Sequence, residues 1–315
     1  MTETEQNAAR MPAKLRLRIF AKPAVHRLAP RQAGSSYARW RAKRWWTADP
    51  RAQTDARDQM EVLLRHTGSQ YDFDQLGRQY MYETLRRDEM AFRPWLTTAM
   101  PVQRLDVLRA AHAGGRGVIL NFMHHGQYGG VFPSINRHGI SLHIVGDKWY
   151  RTPSSMSWGD LRARQHIATV CSNGVRALVA ESGVYTTMCD MLRAGDVIAI
   201  ASDLPGSTPT TFLGRPVKAA SGAARLAKET GAALVPVTAH RGGKVQTIRI
   251  EDPLPVDSSM DVSAVLSAIL RVHERPILNW PEAVERPAKR FNFVAPDDIE
   301  KYGYPPGGYF QRYRV

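Results

Sequence analysis

Two adjacent histidines, His124 and His125, are the residues whose type and position could carry out chemistry in this sequence. They follow a short apolar run at residues 118–123 and precede a glycine-rich segment at 126–130. An apolar run of this length between glycines is typical of a buried strand in an α/β sheet. Ligands of such sheets bind beyond the carboxyl ends of the strands, where an imidazole could accept a proton from a nucleophile near neutral pH. A histidine that only completes a turn is the competing interpretation.

Alternating strand and helix patterns surround the histidine pair. Strands are predicted at residues 118–123, 142–145, 197–201, 234–237 and 247–250, with helical patterns between several of them. This alternation favours an α/β fold with a mixed, largely parallel sheet flanked by helices. Upstream, apolar residues at helical spacing, such as Leu76, Tyr80 and Leu85, predict a helical N-terminal portion.

The predicted domain organisation is a short basic segment followed by one α/β domain. Residues 1–35 are rich in Pro, Ala and Arg, and we expect this segment to be partly disordered. Residues 36–315 are predicted to form a single domain that is helical over 36–110 and has its sheet core at 111–255. A C-terminal helix, placed at 257–272 by its apolar pattern, and an irregular tail are predicted within 256–315.

The net charge of +14 over 315 residues is concentrated near the start of the chain. Residues 1–50 hold eleven Lys and Arg residues against three acidic ones, with Trp40, Trp45 and Trp46 among them. Such a segment suits anionic lipid headgroups, an acidic carrier protein or nucleic acid, and a solvated basic tail is an equally good interpretation. No apolar run approaches the roughly 18 residues of a membrane span. We therefore expect a cytoplasmic protein, with peripheral contact at the inner face of the plasma membrane as a further expectation.

Several common function classes lack their motifs. Cys171 and Cys189 have no CxxC spacing, so neither a disulfide framework nor a metal site is expected. The sequence contains no GxxxxGK[ST] loop, no GxGxxG after a strand and no GxSxG. Nucleotide binding and serine hydrolysis therefore have little support, and no sequence-specific contact with nucleic acid is expected.

Two blocks of sequence resemble a known family. The first is the run 115–120 followed by His124, Gly126, Gln127 and Tyr128, and the second comprises residues 191–200, Asp203, the Phe-Leu-Gly-Arg-Pro-Val loop at 212–217, and residues 221–227 and 230–237. In order and spacing they resemble the lipid A biosynthesis (lauroyl/myristoyl) acyltransferases of the lysophospholipid acyltransferase superfamily. The resemblance covers about residues 55–255.

The resemblance implies transfer of a fatty acyl group from an acyl-carrier-protein or coenzyme A thioester to a hydroxyl of a glycolipid. The thioester is a co-substrate, and no resident cofactor is implied. The family signature is a histidine followed, five positions on, by Asp or Glu, which orients the imidazole as general base. The histidine position falls on His124 and the acid position falls on Gly129. The chain therefore departs from the family at the residue that orients the base.

Three interpretations of this departure compete. Another carboxylate could reach His124, and the candidates are Asp203, Asp147 and Glu181. Alternatively, His124 works without an orienting acid on an acceptor that is already nucleophilic, such as an amine. In the third interpretation the site has lost acyl transfer and the fold serves another purpose, because the loss of an orienting acid usually costs several orders of magnitude in rate.

Further residues are predicted to contact substrate. They are His125, Gly126, Gln127 and Tyr128 beside the base, Arg215 in the Gly-Arg-Pro loop, and Lys148. Arg215 could clamp a phosphate through its planar fork, and Lys148 is a plausible phosphate contact. Backbone amides around Gly126 could stabilise an oxyanion. In the competing interpretation Arg215 is a solvated loop arginine and His125 only fills space.

Together these features predict an acyltransferase with His124 and Asp203 as catalytic residues. It would transfer an acyl group from a carrier-protein or coenzyme A thioester to a hydroxyl or amine acceptor. The absent membrane span and the missing acid favour a specialised biosynthetic pathway. The alternatives are a non-catalytic family member that binds a carrier protein or an anionic membrane surface, and a thioester hydrolase.

Overall fold

A seven-stranded sheet forms the centre of the protein in the computed structural model, which describes residues 24–30, 32–146, 158–242 and 246–294. Its strands lie in the order β1-β9-β8-β2-β5-β3-β4. Their bounds are β1 Val102–Gln103, β2 Val118–Phe122, β3 Leu142–Gly146, β4 Arg176–Val179, β5 Val197–Ala201, β8 Ala233–His240 and β9 Thr247–Ile250. The five predicted strands are therefore all present, and the short β1 and β4 are additional.

The central strands of this sheet are parallel. β2 lies between β5 and β8 and is parallel to both, whereas β8 and β9 are antiparallel. All five residues of β2 are buried, which explains the uninterrupted apolar run that marks it in the sequence. The prediction of a mixed, largely parallel sheet is confirmed.

Helices cover both faces of the sheet. In chain order they are α1 Ala33–Ala48, α2 Pro50–Leu64, α3 Phe73–Met90, α4 Pro94–Thr97, α5 Leu105–Ala113, α6 Val131–Asn136, α7 Trp158–Val170, α8 Val184–Arg193, α9 Gly222–Thr230 and α10 Val262–Asn279. Leu120 and Phe132 belong to the apolar core on one face, and Ile119 and Leu226 belong to the core on the other. Burial on both sides fixes the position of β2 and of the residues that follow it.

A second, three-stranded sheet was not predicted. It consists of β6 Pro205–Phe212, β7 Arg215–Ala219 and β10 Asn292–Phe293, in the antiparallel order β10-β7-β6. The sequence of β6 contains two prolines and a glycine, which weaken the strand pattern. This sheet packs against the N-terminal helices and α10 through a third core that includes Met60, Phe212 and Leu270.

The C-terminal helix lies further along the chain than predicted. Asp261 caps it by accepting a hydrogen bond from the Ser263 amide at 2.8 Å, and it continues through Pro276 to Asn279. The predicted bounds of 257–272 were therefore wrong at both ends. The start was wrong because the Asp-Ser-Ser-Met segment before Asp261 forms a turn, and the end because the helix tolerates Pro276.

Candidate active site

His124 lies two residues beyond the end of β2, at the carboxyl edge of the sheet. The strand β5, which is a neighbour of β2 in the sheet, ends at Ala201 and is followed by Ser202 and Asp203. Because β2 and β5 are parallel and in register from Val118 to Phe122, their carboxyl ends lie side by side. The sheet therefore brings His124 and Asp203 together although they are far apart in the sequence.

His124 and Asp203 form a hydrogen-bonded dyad. The ring Nδ1 of His124 lies 2.8 Å from Asp203 Oδ1, and the backbone amide of His124 donates to Oδ2 at 2.8 Å. An ionised carboxylate only accepts hydrogen bonds, so Nδ1 carries the proton and Nε2 has a free lone pair. Asp203 is fully buried, while 18% of the His124 side chain stays exposed. The ring is thus fixed in the tautomer of a general base and remains accessible.

The structure describes two of the three carboxylates considered for His124. Asp203 contacts both the ring and the backbone of His124. Glu181 is exposed after β4, and Asp147 lies outside the described residues. Of the two candidates that lie in the described residues, Asp203 is the one that contacts His124.

Asp203 is held in its ionised form. Burial alone would raise the pKa of Asp203, but His124 and Arg290 outweigh that effect and lower the pKa below its ordinary value. The Nε of Arg290 lies 3.9 Å from Asp203 Oδ2. A carboxylate that stays charged at neutral pH can stabilise the imidazolium that forms when His124 accepts a proton.

Sequence reasoning missed a second carboxylate beside the dyad. The amide of Glu285 donates to the carbonyl oxygen of His124 at 2.8 Å, and Arg290 pairs with the Glu285 carboxylate at 3.3 Å. The Tyr128 ring packs edge-on against His124 with centroids 4.6 Å apart, and burial together with the nearby Glu285 carboxylate raises the pKa of Tyr128 well above its ordinary value. This segment contains no recognisable motif and was predicted to be part of an irregular tail, so the sequence did not point to Glu285.

The space beside Gly129, where the family acid would stand, is occupied. A Cβ atom at Gly129 would lie 3.0 Å from Cε1 of His166, which projects from α7 and packs against Tyr128. A Cβ at Gly130 would overlap the carbonyl oxygen of Thr97. The two glycines therefore allow close packing of α4 and α7 on the loop, and a carboxylate at position 129 would require His166 to move.

The predicted substrate contacts next to the base have internal partners. The buried His125 donates from Nε2 to the carbonyl oxygen of Trp280 at 2.9 Å. The amide of Gly126 donates to Ala283 at 3.0 Å, and the amide of Gln127 donates to the Gln246 side chain at 2.6 Å. These amides are engaged, so an oxyanion could use them only by displacing these bonds. Their predicted contact with substrate stays a prediction.

Of the two predicted phosphate contacts, Arg215 and Lys148, the structure describes only Arg215. Arg215 is buried at the start of β7, which corrects the competing interpretation of a solvated loop arginine. Its predicted phosphate contact would require access that the buried guanidinium lacks. Lys148 lies outside the described residues. Among the described residues, no group of His, Cys, Asp and Glu side chains could hold a metal ion.

A cavity of about 870 Å³ is lined by residues from the starts of β6 and α9 and the end of β7. Its wall includes Gly206, which lies three residues after Asp203, and the start of α9. Arg225 and Lys228 give the cavity basic side chains, while Tyr185 and Val262 give it apolar surface. This mixture could accommodate a substrate that has both an anionic group and a hydrocarbon part.

Two buried neutral histidines near the site predict how stability depends on pH. Burial lowers the pKa of both His125 and His273 from 6.5 to about 4. Between pH 6.5 and 4 the unfolded chain binds the protons that the folded chain excludes, so stability is complete above pH 6.5 and falls with the pH. We expect a loss of about 2 kcal/mol for each histidine at pH 5, measured by urea unfolding at pH 7 and pH 5.

A variant pair separates this effect from general acid sensitivity. His273→Gln should lose about half of the difference in unfolding free energy between the two pH values, whereas the exposed His112→Gln should keep the full difference. Equal stability of the unmodified protein at pH 7 and pH 5 would contradict the prediction.

The fold and the site define an α/β protein with a histidine–aspartate dyad at the carboxyl edge of a mostly parallel sheet. The family model described as bacterial lipid A biosynthesis acyltransferase matches residues 70–284. This match spans more than half of the chain, so the chain belongs to the bacterial lipid A biosynthesis acyltransferase family. The family predicted from the sequence blocks is confirmed. No curated protein matches the chain.

Proposed function

We propose that this protein is an acyltransferase that moves an acyl group from an acyl-carrier-protein or coenzyme A thioester to a hydroxyl acceptor. In this proposal His124 is the general base and Asp203 orients it. The observation that carries the proposal is the 2.8 Å contact between His124 Nδ1 and Asp203 Oδ1 in a chain of an acyltransferase family.

The proposed reaction requires one base and proceeds through a tetrahedral intermediate. Nε2 of His124 accepts the proton of the acceptor hydroxyl while the hydroxyl oxygen attacks the thioester carbonyl carbon. The intermediate collapses by breaking the C–S bond, and the thiolate takes the proton from His124. The products are an ester and a free thiol, and the ring returns to its starting tautomer. Asp203 stabilises the imidazolium between these steps.

The dyad favours a hydroxyl acceptor over an amine. An amine is already nucleophilic and was the acceptor considered for a base without an orienting acid. Since Asp203 supplies that acid, the departure at Gly129 no longer supports an amine acceptor. For the same reason it no longer supports a specialised pathway over a glycolipid acceptor.

Intact-mass analysis of acyl unloading tests the proposal. Purified protein is incubated with acyl-carrier-protein and coenzyme A thioesters, each with and without hydroxyl and amine acceptors. Acceptor-dependent unloading with an esterified product supports the transferase. Free acid formed without acceptor would instead indicate a thioester hydrolase, and binding of donors without unloading would indicate a non-catalytic family member.

A second part of the proposal is peripheral contact with an anionic membrane through one face of α1. Tyr37, Trp40 and Trp45 on this face expose 47%, 55% and 43% of their surface. Together with Arg41 and Arg44 they occupy positions i, i+3, i+4, i+7 and i+8, which form one stripe along a helix. We call these five residues the aromatic–basic stripe. The opposite side of α1 is buried through small residues such as Ala38 and Ala42.

The composition of this region supports a lipid surface as the partner. Residues 24–48 contain six Lys and Arg residues and no Asp or Glu. Arg41 lies over the rings of both Tyr37 and Trp45, at 5.7 and 4.8 Å from their centroids. Tryptophan and tyrosine favour the headgroup level of a bilayer, and nearby arginines attract anionic lipids. Within the part of the chain that the structure describes, every helix is too short or too polar to cross a bilayer.

A buried ion pair, continued by hydrogen bonds, ties the stripe to the body of the protein. The buried Glu89 of α3 contacts Arg41 Nη1 at 3.2 Å and His26 Nε2 at 3.0 Å. The Nε of Arg93 donates to His26 Nδ1 at 2.9 Å. The stripe is thus presented by a helix that is anchored at several points, so membrane binding would not have to order it first.

Vesicle co-sedimentation tests this contact. We expect binding to vesicles that contain phosphatidylglycerol, weak binding to pure phosphatidylcholine, and loss of binding as salt rises. The double variant Trp40→Ala/Trp45→Ala should weaken binding by about tenfold or more, because two interfacial anchors are lost. Trp95→Ala, which removes a tryptophan with 43% exposure on α4, is the matched control and should bind normally. Equal binding of the double variant, or binding only to an acidic carrier protein, would contradict the membrane proposal.

A further inference from the structure

The segment that follows α10 forms part of the candidate active site. Val284 forms a β-bridge with His125, the Gly126 amide donates to Ala283, and the Glu285 amide donates to the carbonyl oxygen of His124. Arg87 of α3 ties the two segments together by donating to the carbonyl oxygens of Gly126 and Ala283, at 3.2 and 2.8 Å. The family match ends at residue 284, so Glu285 lies just beyond the matched residues.

One guanidinium holds both carboxylates of the site. Arg290, with 11% of its side chain exposed, donates to the Glu285 carbonyl oxygen at 2.6 Å and pairs with the Glu285 carboxylate at 3.3 Å. The distance from the same guanidinium to Asp203 is 3.9 Å. If Glu285 did not occupy Arg290, Arg290 would be free to pair more closely with Asp203 and compete with the His124 ring for that carboxylate.

Glu285 also acts on the other side of the His124 ring. Its carboxylate raises the pKa of Tyr128, whose ring packs edge-on against His124. Burial alone would raise the pKa of Glu285, but Arg290 and Arg87 outweigh that effect and hold the pKa well below its ordinary value. Glu285 is therefore a permanent negative charge close to the base.

We propose that Glu285 is a positioning residue that supports the His124–Asp203 dyad from the C-terminal segment. Its carboxylate neutralises Arg290, which leaves Asp203 directed at Nδ1 of His124. The negative charge also favours the imidazolium that forms when His124 accepts the acceptor proton. The expected kinetic effects of this inference rest on the proposed function, whereas the expected effect on the titration of His124 does not.

The charged surroundings of His124 determine how its titration responds. The ionisable groups that the structure places around the ring and its partner Asp203 are Glu285, Arg290, Tyr128, Arg87, Arg286, His125 and His273. Of these, only Glu285 adds a negative charge next to the dyad. Removal of that charge should therefore make His124 easier to deprotonate, since the remaining cations repel the imidazolium.

The test measures the titration of His124 by NMR in the full-length protein, together with the pH profile of the transferase. Glu285→Gln should lower the titration midpoint of His124 by about half a pH unit or more, and move the acid limb of kcat/KM in the same direction. We expect kcat to fall about tenfold with KM unchanged. Glu285→Asp, which keeps the charge, should restore the midpoint.

Two further variants make the result specific. Glu251→Gln is the matched control, because Glu251 also accepts from a hydroxyl, that of Thr238, and pairs with an arginine, Arg249. It should leave both midpoint and kcat unchanged. Tyr128→Phe keeps both the ring beside His124 and the Glu285 charge, so it should not move the midpoint, and a shift in this variant would contradict the inference even if Glu285→Gln does not fold.

An unchanged His124 midpoint in Glu285→Gln would overturn the inference, as would a midpoint shift of the same size in Glu251→Gln. If Glu285→Gln moves the His124 midpoint but the protein shows no transferase activity, the positioning role stands and only the proposed function is overturned.

Discussion

His124→Ala is expected to lower kcat/KM for acyl transfer by about 10³- to 10⁴-fold, because the variant removes the proposed general base. The ring is 18% exposed and its Nδ1 is committed to Asp203, so its removal affects the reacting edge more than the packing of the core. Steady-state rates with the preferred thioester donor measure the loss, and vesicle or carrier binding should be preserved.

His138→Ala is the control for this experiment. His138 is exposed after α6, so its replacement should leave both activity and the urea midpoint unchanged. Retention of more than about a tenth of the activity in His124→Ala, with normal stability, would exclude this ring as the general base.

Asp203→Asn is expected to lower kcat by about 10²- to 10⁴-fold while KM changes little. An amide at this position can donate to Nδ1, which stabilises the tautomer that carries its proton on Nε2 and cannot act as a base. The variant also removes the negative charge that stabilises the imidazolium. Activity should be measured across pH, together with unfolding by urea, since Asp203 is fully buried.

Asp252→Asn is the control for this experiment, because it replaces a carboxylate that also pairs with an arginine but lies away from His124. Asp252 pairs with Arg104 at the surface, and its replacement should not change kcat. If Asp203→Asn kept normal kcat, another group would have to orient His124, and Asp147, which lies outside the described residues, would become the leading candidate.

The sequence was sufficient to predict the part of the site that the parallel sheet creates. The strands before His124 and Asp203 are continuous apolar runs, and parallel strands end at the same edge of a sheet, so the two residues could be placed in one region without coordinates. The sequence favoured Asp203 through the family resemblance but left Asp147 and Glu181 as candidates, because the carboxylate that reaches His124 depends on which strand is the neighbour of β2.

The residues that were missed lie where local patterns carry little information. Glu285 and Arg290 follow a proline-containing helix in a segment without periodicity, and only tertiary pairing with the His124 loop gives them a role. The strand β6 was missed because its prolines and threonines resemble a loop. Arg215 was predicted to contact a phosphate because it lies in a loop that matches the family. The structure buries its side chain at the start of β7.

The chain order of the site also has a consequence for biosynthesis. The base and its first acid lie in the middle of the chain, whereas Glu285 and Arg290 lie near the end of the described region. A nascent chain emerges from the ribosome N-terminus first, so the sheet can begin to form before these residues have left the exit tunnel. An incompletely translated chain would therefore carry His124 and Asp203 without the arginine and glutamate that complete their surroundings, and would remain poorly active until synthesis is finished.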